Sequence, residues 1–183
     1  MQPIEKIKLV ISEIKTVNKA TRNYPGLSRK EIIETFKSIE IEPPQEVIKL
    51  YELFNGITSL NGYFDFQEVE EVIEWYRTYV EIKEDNPDFK FQKSWIPLFS
   101  MNGDVILYLD CELFSVIAID LELCRVEKIA QHYEDYLDAI LDIFEQQAVI
   151  YEEKTMHFTV ESSVWEKTCS KYQLKNPWYS SSK

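Results

Sequence analysis

The sequence predicts an α+β protein, with an antiparallel sheet of about four to six strands flanked by N-terminal and C-terminal helices. Apolar residues recur at helical spacing through the first half of the chain and again around residue 140. From residue 89 to residue 129 they instead form short runs separated by turn residues. No helical pattern separates these runs, which favours antiparallel pairing and argues against a doubly wound nucleotide-binding sheet.

The length and composition are typical of one compact domain. The chain has 183 residues, of which 45% are hydrophobic and 14% are aromatic. We expect a helical extension over residues 1–24, the main domain over residues 25–150, and a C-terminal extension over residues 151–183 that packs on the domain or trails from it. No apolar run reaches the roughly 18 residues of a membrane-spanning helix. Glu5 and Glu13 interrupt the apolar pattern where a signal peptide would need a continuous one, so we expect a cytoplasmic protein.

The first three helices are predicted from apolar spacing and end signals. Residues 4–18 carry a helical apolar stripe. A Ser28-x-x-Glu31 capping box opens the second helix. Pro44 suits the first turn of the third, and Asn55-Gly56 suits its left-handed end.

A second capping box, Asp65-x-x-Glu68, is predicted to open a long helix that Asn86-Pro87 closes. The remaining pattern predicts strands and two further helices. The strands are expected over residues 95–99, 105–109, 115–119, 124–129 and 156–160, and the helices over residues 133–144 and 163–172.

Charge is distributed unevenly along the chain. The net charge is −12, and residues 104–153 hold 13 acidic side chains against two basic ones, Arg125 and Lys128. Such a chain is not expected to bind nucleic acid directly or an anionic membrane, because both need Lys and Arg. The excess favours a cationic partner, although acidic residues also serve solubility.

The search for catalytic motifs is negative. No phosphate-binding glycine loop is present, and the two histidines, His132 and His157, have no Ser or Cys neighbour at a recognised spacing. Three cysteines without a CxxC pair argue against a disulfide framework and against a structural zinc site. We expect no cofactor, no metal and no catalytic residues.

Two acidic groups and one tryptophan remain as candidates. Asp104, Asp110 and Asp120 border the predicted strands, where they either bind a hard cation or occupy turn positions that favour Asp. The second group is either a solvated helix face or a docking strip for Lys and Arg, and few basic residues lie near it in sequence. It consists of Glu134, Asp135, Asp138, Asp142 and Glu145. Trp75 falls outside the inward stripe of its helix and is expected at the surface, where an aromatic beside acidic residues suits an interface.

Taken in order, these elements resemble the SUKH superfamily, which includes fungal cell-wall assembly regulators and many bacterial immunity proteins. The resemblance covers about residues 25–146, two thirds of the chain, and it depends on short motifs. They are Pro44 with Leu50-Tyr51 and Asn55-Gly56, Trp95-Ile96-Pro97-Leu98-Phe99, Asn102-Gly103-Asp104, Leu107-Tyr108-Leu109-Asp110, Ser115 to Ile119, Ile129-Ala130, Tyr133 and Tyr136-Leu137.

The resemblance implies a non-enzymatic protein that neutralises the toxin domain of a polymorphic or contact-dependent toxin system. That toxin is expected to be a basic nuclease or deaminase. The candidate partner-binding residues are then Glu134, Asp135, Asp138, Asp142, Asp104, Asp110 and Trp75. The alternative is an intracellular adaptor or regulator of cell-wall synthesis that uses the same surface for another protein.

Overall fold

The structure, a computed structural model, describes residues 2–58, 65–101, 105–120, 125–154 and 157–176. These residues form an α+β fold with an antiparallel sheet, as predicted. The helices are α1 Pro3–Val17, α2 Arg29–Lys37, α3 Gln45–Leu53, α4 Val69–Asp85, α5 Tyr133–Glu145 and α6 Ser162–Lys171. The strands are β1 Arg22–Pro25, β2 Phe54–Thr58, β3 Asp65–Phe66, β4 Trp95–Met101, β5 Val105–Asp110, β6 Val116–Asp120, β7 Arg125–Ala130, β8 Val149–Glu152 and β9 His157–Val160.

The main sheet has five antiparallel strands in the order β3-β4-β5-β6-β7. This agrees with the strand number predicted from the sequence. β1 pairs with β2 and β8 pairs with β9 in two small sheets. Neither β1 nor β8 was predicted, because each has only four residues and no clear alternation of apolar and polar positions.

Helices cover both faces of the main sheet. Every residue of the central strand β5 is buried, and neighbouring side chains on a strand point to opposite faces. On one face, Tyr108 of β5 packs against Tyr79 of α4 with ring centroids 5.3 Å apart. On the other, Leu109 shares a cavity wall with residues of α1, α3 and α5. The outer surfaces of α4 and α5 therefore lie on opposite sides of the sheet.

The first capping box is confirmed and the second is wrong. The Ser28 hydroxyl accepts from the Glu31 N–H, and the Glu31 carboxylate accepts from the Ser28 N–H at 2.8 Å. Asp65 instead lies in β3, and α4 begins at Val69 with no cap from the side chain of its N-cap residue. The missing cap comes from Asn55, whose Oδ1 accepts the Val69 N–H at 3.0 Å.

The predicted left-handed end of α3 is also absent. The helix ends at Leu53 and is followed directly by β2, which contains both Asn55 and Gly56. Gly56 has a φ of +89°. A Cβ there would lie 2.9 Å from the backbone nitrogen of Glu68, so the glycine allows β2 to approach the start of α4 closely.

Both chain ends pack on the same core as the central domain. Ile7, Val10, Ile11 and Ile14 of α1 are buried in that core. In α6, Trp165 is 2% exposed, and beyond it the Lys175 N–H donates to Ile129 O at 2.9 Å. The C-terminal extension therefore packs on the domain as far as residue 176. At the N-terminus of α6, the Ser163 hydroxyl donates to the Glu161 carboxylate at 2.7 Å.

Candidate partner-binding surfaces

The acidic residues predicted on the outer side of α5 do lie there, but a lysine remote in sequence pairs with two of them. Lys6 Nζ of α1 lies 2.8 Å from the Asp138 carboxylate and 3.7 Å from that of Glu134. The Lys6 side chain is only 8% exposed, whereas that of Glu134 is 56% exposed. Asp138 therefore joins α1 to α5, and Glu134 remains largely open to solvent.

A second lysine pairs with the next acidic residue along α5. Lys171 Nζ of α6 lies 2.9 Å from Asp142, whose side chain is 12% exposed. This hydrogen bond raises the pKa of Lys171 and keeps the ammonium charged. Asp138 and Asp142 therefore hold helices together. Glu134 has only the 3.7 Å contact with Lys6, and Asp135 and Glu145 form no salt bridge with a described residue. Few basic residues lie near the strip in the sequence, as expected, but the fold brings Lys6 and Lys171 into contact with it.

Asp110 is buried, being 4% exposed, and organises a turn. One carboxylate oxygen accepts from Trp95 Nε1 at 3.2 Å. The other accepts from the backbone N–H groups of Glu112 and Leu113 at 3.0 and 3.2 Å. These three donors satisfy the carboxylate inside the protein, so its contribution to a partner surface is to hold the turn in shape.

That turn presents two apolar side chains to solvent, which we call the apolar tip. Leu113 is 61% exposed and Phe114 is 38% exposed. Phe114 has a φ of +52°, a left-handed conformation that is costly for a bulky residue. Its N–H donates to Asp110 O at 2.8 Å, and its carbonyl accepts from the Tyr133 N–H at 2.7 Å. The tip is therefore fixed beside the first turn of α5, which carries Glu134 and Asp135.

A cleft separates the apolar tip from the N-terminal ends of α1 and α3. Its lining residues come from four parts of the chain: Gln2, Pro3, Glu46, Phe114, His132, Tyr133, Glu134 and Asp135. Glu134 and Asp135, which the sequence singled out, thus share one concave surface with Glu46 and Phe114, which it did not. No pattern in the sequence predicts this grouping, because the grouping depends on how α1, α3 and α5 pack.

The hypothesis of a cation site at the ends of the strands receives no support. Asp104 lies outside the described residues. Asp110 is bound within its turn, and Asp120 of β6 lies 4.0 Å from Arg125 NH2. Within the described part of the chain, no group of three or more His, Cys, Asp or Glu side chains could hold a metal ion.

A second acidic surface, the α4 face, lies on the opposite side of the sheet. Six exposed carboxylates share the outer side of α4 without forming an ion pair with any described residue: Glu70, Glu71, Glu74, Glu81, Glu84 and Asp85. The two cations of α4 contact other groups, since Arg77 donates to the Ser38 hydroxyl and Lys83 donates to backbone carbonyls. Glu70 and Glu71, together with burial, raise the pKa of Glu68. The helical spacing in the sequence predicts that these residues face outward. It does not predict that they lack ion-pair partners among the described residues.

Trp75 lies at the edge of this α4 face. It is half-buried rather than fully exposed, because its ring stacks on that of Tyr79 with centroids 6.2 Å apart. Glu71, four residues before Trp75, is its acidic neighbour on the helix surface. Trp75 therefore remains a candidate contact residue, on the opposite side of the sheet from the α5 strip.

The two described cysteines are not activated as nucleophiles. Burial raises the pKa of Cys111 to about 12 and that of Cys169 to about 12, which disfavours the reactive thiolate. His132 is exposed at the start of α5. Cys124 and the His157 side chain lie outside the described residues.

No helix among the described residues combines the length and apolar character that crossing a membrane requires. No protein-family model matches the chain, and a comparison with curated proteins finds no match.

Proposed function

We propose that this protein is a non-enzymatic immunity protein that acts in the cytoplasm. It binds a basic toxin domain, a nuclease or deaminase, in a one-to-one complex and blocks access to the nucleic acid. The observation that carries the proposal is the apolar tip held beside the exposed carboxylate of Glu134 and the half-buried carboxylate of Asp135. Apolar anchors next to charges that match the partner are typical of protein-binding surfaces.

The fixed shape of the tip supports this proposal. A flexible turn would lose conformational freedom on binding, which weakens a complex. Here the Asp110 carboxylate holds the backbone of the turn before any partner arrives. Phe114 keeps an unfavourable backbone conformation while exposing an aromatic ring, a combination that a role in folding alone does not explain.

The α4 face contributes in a different way, because it lies across the sheet from the tip. A compact interface around the tip leaves the six carboxylates of α4 outside the contact. Charges outside an interface still accelerate the encounter of oppositely charged proteins. We therefore assign close contact to the surface around the tip and long-range attraction to the α4 face.

The proposal is tested by affinity capture of the tagged protein from its native cells at low and high salt, with mass spectrometry of the bound proteins. The expected result is one basic nuclease or deaminase domain in equal amount, with less recovered at high salt. The purified domain should lose its activity on nucleic acid when one equivalent of this protein is added. Recovery of wall-synthesis proteins instead would favour the adaptor alternative.

Two charge-reversal variants then separate the roles of the two surfaces. Glu134→Lys with Asp135→Lys should mainly accelerate dissociation of the complex, whereas Glu74→Lys with Glu81→Lys should mainly slow association at low salt. Asp138 is left unchanged because Lys6 needs it for folding. If both variants bind and protect as the unmodified protein does, the proposal is wrong.

A further inference from the structure

The cleft beside the apolar tip continues into a narrower cavity with apolar walls. Gln2, Pro3 and Tyr133 line both spaces. The inner cavity is otherwise walled largely by aliphatic side chains from three helices and the main sheet, among them Ile7, Val47, Leu50, Leu98 and Leu109. The inner cavity has a volume of only about 30 Å³, whereas the outer cleft has about 540 Å³ and is the space that a long side chain could enter.

The rim of the cleft is acidic. Glu46 of α3 and Glu134 and Asp135 of α5 all line it. Lys6, the buried cation near Glu134, is already bound to Asp138 at 2.8 Å. Lys49 lines the inner cavity but is an exposed residue of α3. Among the described residues, carboxylates therefore outnumber cations at the rim, which favours a positively charged ligand over an anion.

Tyr133 provides an observation that is independent of these charges. The residue is 6% exposed, and its Oη is buried without a hydrogen-bond partner among the described residues. An unpartnered buried hydroxyl is destabilising, so a hydrogen-bond donor that reached it would bring a gain that the free protein lacks. Its ring is stacked on Phe99 of β4 with centroids 6.1 Å apart, which fixes its position in the wall.

We propose that this cleft is a socket for one arginine side chain of the partner protein. The inference rests on the proposed function and specifies which chemical group that partner supplies. A guanidinium group has five N–H donors and no acceptor, which suits a rim of carboxylates and a tyrosine oxygen. Its planar face packs on the exposed ring of Phe114.

The socket is tested without the partner by adding N-acetyl-arginine amide to the ¹⁵N-labelled full-length protein and following the NMR spectrum. Signals of Glu46, Phe114 and residues 132–135 should shift in a saturable manner at low salt. N-acetyl-citrulline amide is the matched neutral probe, and it should bind about tenfold more weakly because it lacks the positive charge. N-acetyl-glutamate amide, an anion, should not bind there.

Tyr133→Phe is the decisive variant, since it removes the unpartnered hydroxyl and keeps the ring. It should leave the free energy of unfolding unchanged or raise it, while weakening arginine binding about fivefold. Thr168→Val is the matched control, because Thr168 also has a buried unpartnered hydroxyl but lies in α6, away from the cleft. It should bind arginine as the unmodified protein does.

The outcomes separate this inference from the proposed function. Equal binding of arginine and citrulline, shifts confined to the α4 face, or undiminished binding by Tyr133→Phe would each overturn the socket. If a basic toxin is nevertheless captured and inhibited, the proposed function stands without the socket. If arginine binds as expected and no toxin is captured, the socket stands and the immunity function fails.

Discussion

The ammonium group of Lys6 lies 2.8 Å from the Asp138 carboxylate, although the two residues are 132 positions apart in the chain. The contact joins the first helix to the fifth and removes most of the lysine side chain from solvent. It also changes the interpretation of the α5 strip. Asp138 serves the fold, and the carboxylates available to a partner are those nearer the apolar tip.

Replacing Lys6 with methionine should lower the free energy of unfolding by about 1–2 kcal/mol, because Asp138 loses its partner in a partly buried site. Methionine keeps the apolar packing of the side chain. Lys8→Met is the control, since Lys8 lies on the same helix in an exposed pair with Glu5. Urea unfolding measures both variants, and equal stabilities would show that the buried pair contributes nothing.

Asp110→Asn should destabilise the protein by about 1–3 kcal/mol, since an amide cannot accept from both Trp95 Nε1 and the two turn N–H groups. Asp88→Asn is the control, because Asp88 is exposed and forms no salt bridge with a described residue. Thermal unfolding measures the change in stability. The affinity for the partner should also fall, because the apolar tip loses its fixed shape. A stable Asp110→Asn protein with an unchanged tryptophan emission spectrum would contradict this role.

The capping box of α2 should make stability depend on pH. Hydrogen bonds from the Ser28 side chain and backbone lower the pKa of Glu31 from its usual 4.5. Its stabilising contribution is therefore present above pH 4.5 and is lost as the pH falls through the lowered value in the folded protein. The stability difference between the unmodified protein and Glu31→Gln should shrink from about pH 6 to about pH 3. Glu42→Gln is the control, because Glu42 is exposed and forms no salt bridge with a described residue. A stability difference independent of pH would contradict the prediction.

Glu74→Lys should increase stability by about 0.2–0.5 kcal/mol, because it replaces a repulsion with Glu70 by an attraction at the favourable i,i+4 spacing. The same change should slow association with a basic partner at low salt. Glu74→Gln removes only the repulsion. Its stability and its association rate should therefore lie between those of the unmodified protein and those of Glu74→Lys. A substitution that stabilised the helix without affecting the association rate would show that the α4 face has no role in attraction.

The elements that the sequence predicted well are those whose determinants are local. The apolar spacing of α5 and the Ser28–Glu31 box each lie within a few turns of one helix. The cap of α4 was predicted incorrectly because Asn55, which supplies it, lies 14 residues before Val69. The partners of Asp138 and Asp142 lie still further away, on α1 and α6. The cleft combines α1, α3, α5 and the tip, so no spacing within the sequence could have indicated it.

The packing of α1 against α5 also affects how the protein folds during synthesis. At about 5–20 residues per second, the ribosome adds the 132 positions from Lys6 to Asp138 in about 7 to 26 s. Over that interval α1 can pack on α3 but not on α5, and the core cannot close. Contacts so distant in sequence slow folding, because a long loop must be ordered before they form. Completion of this fold therefore waits for the fifth helix, and the newly made N-terminus needs protection from aggregation until it emerges.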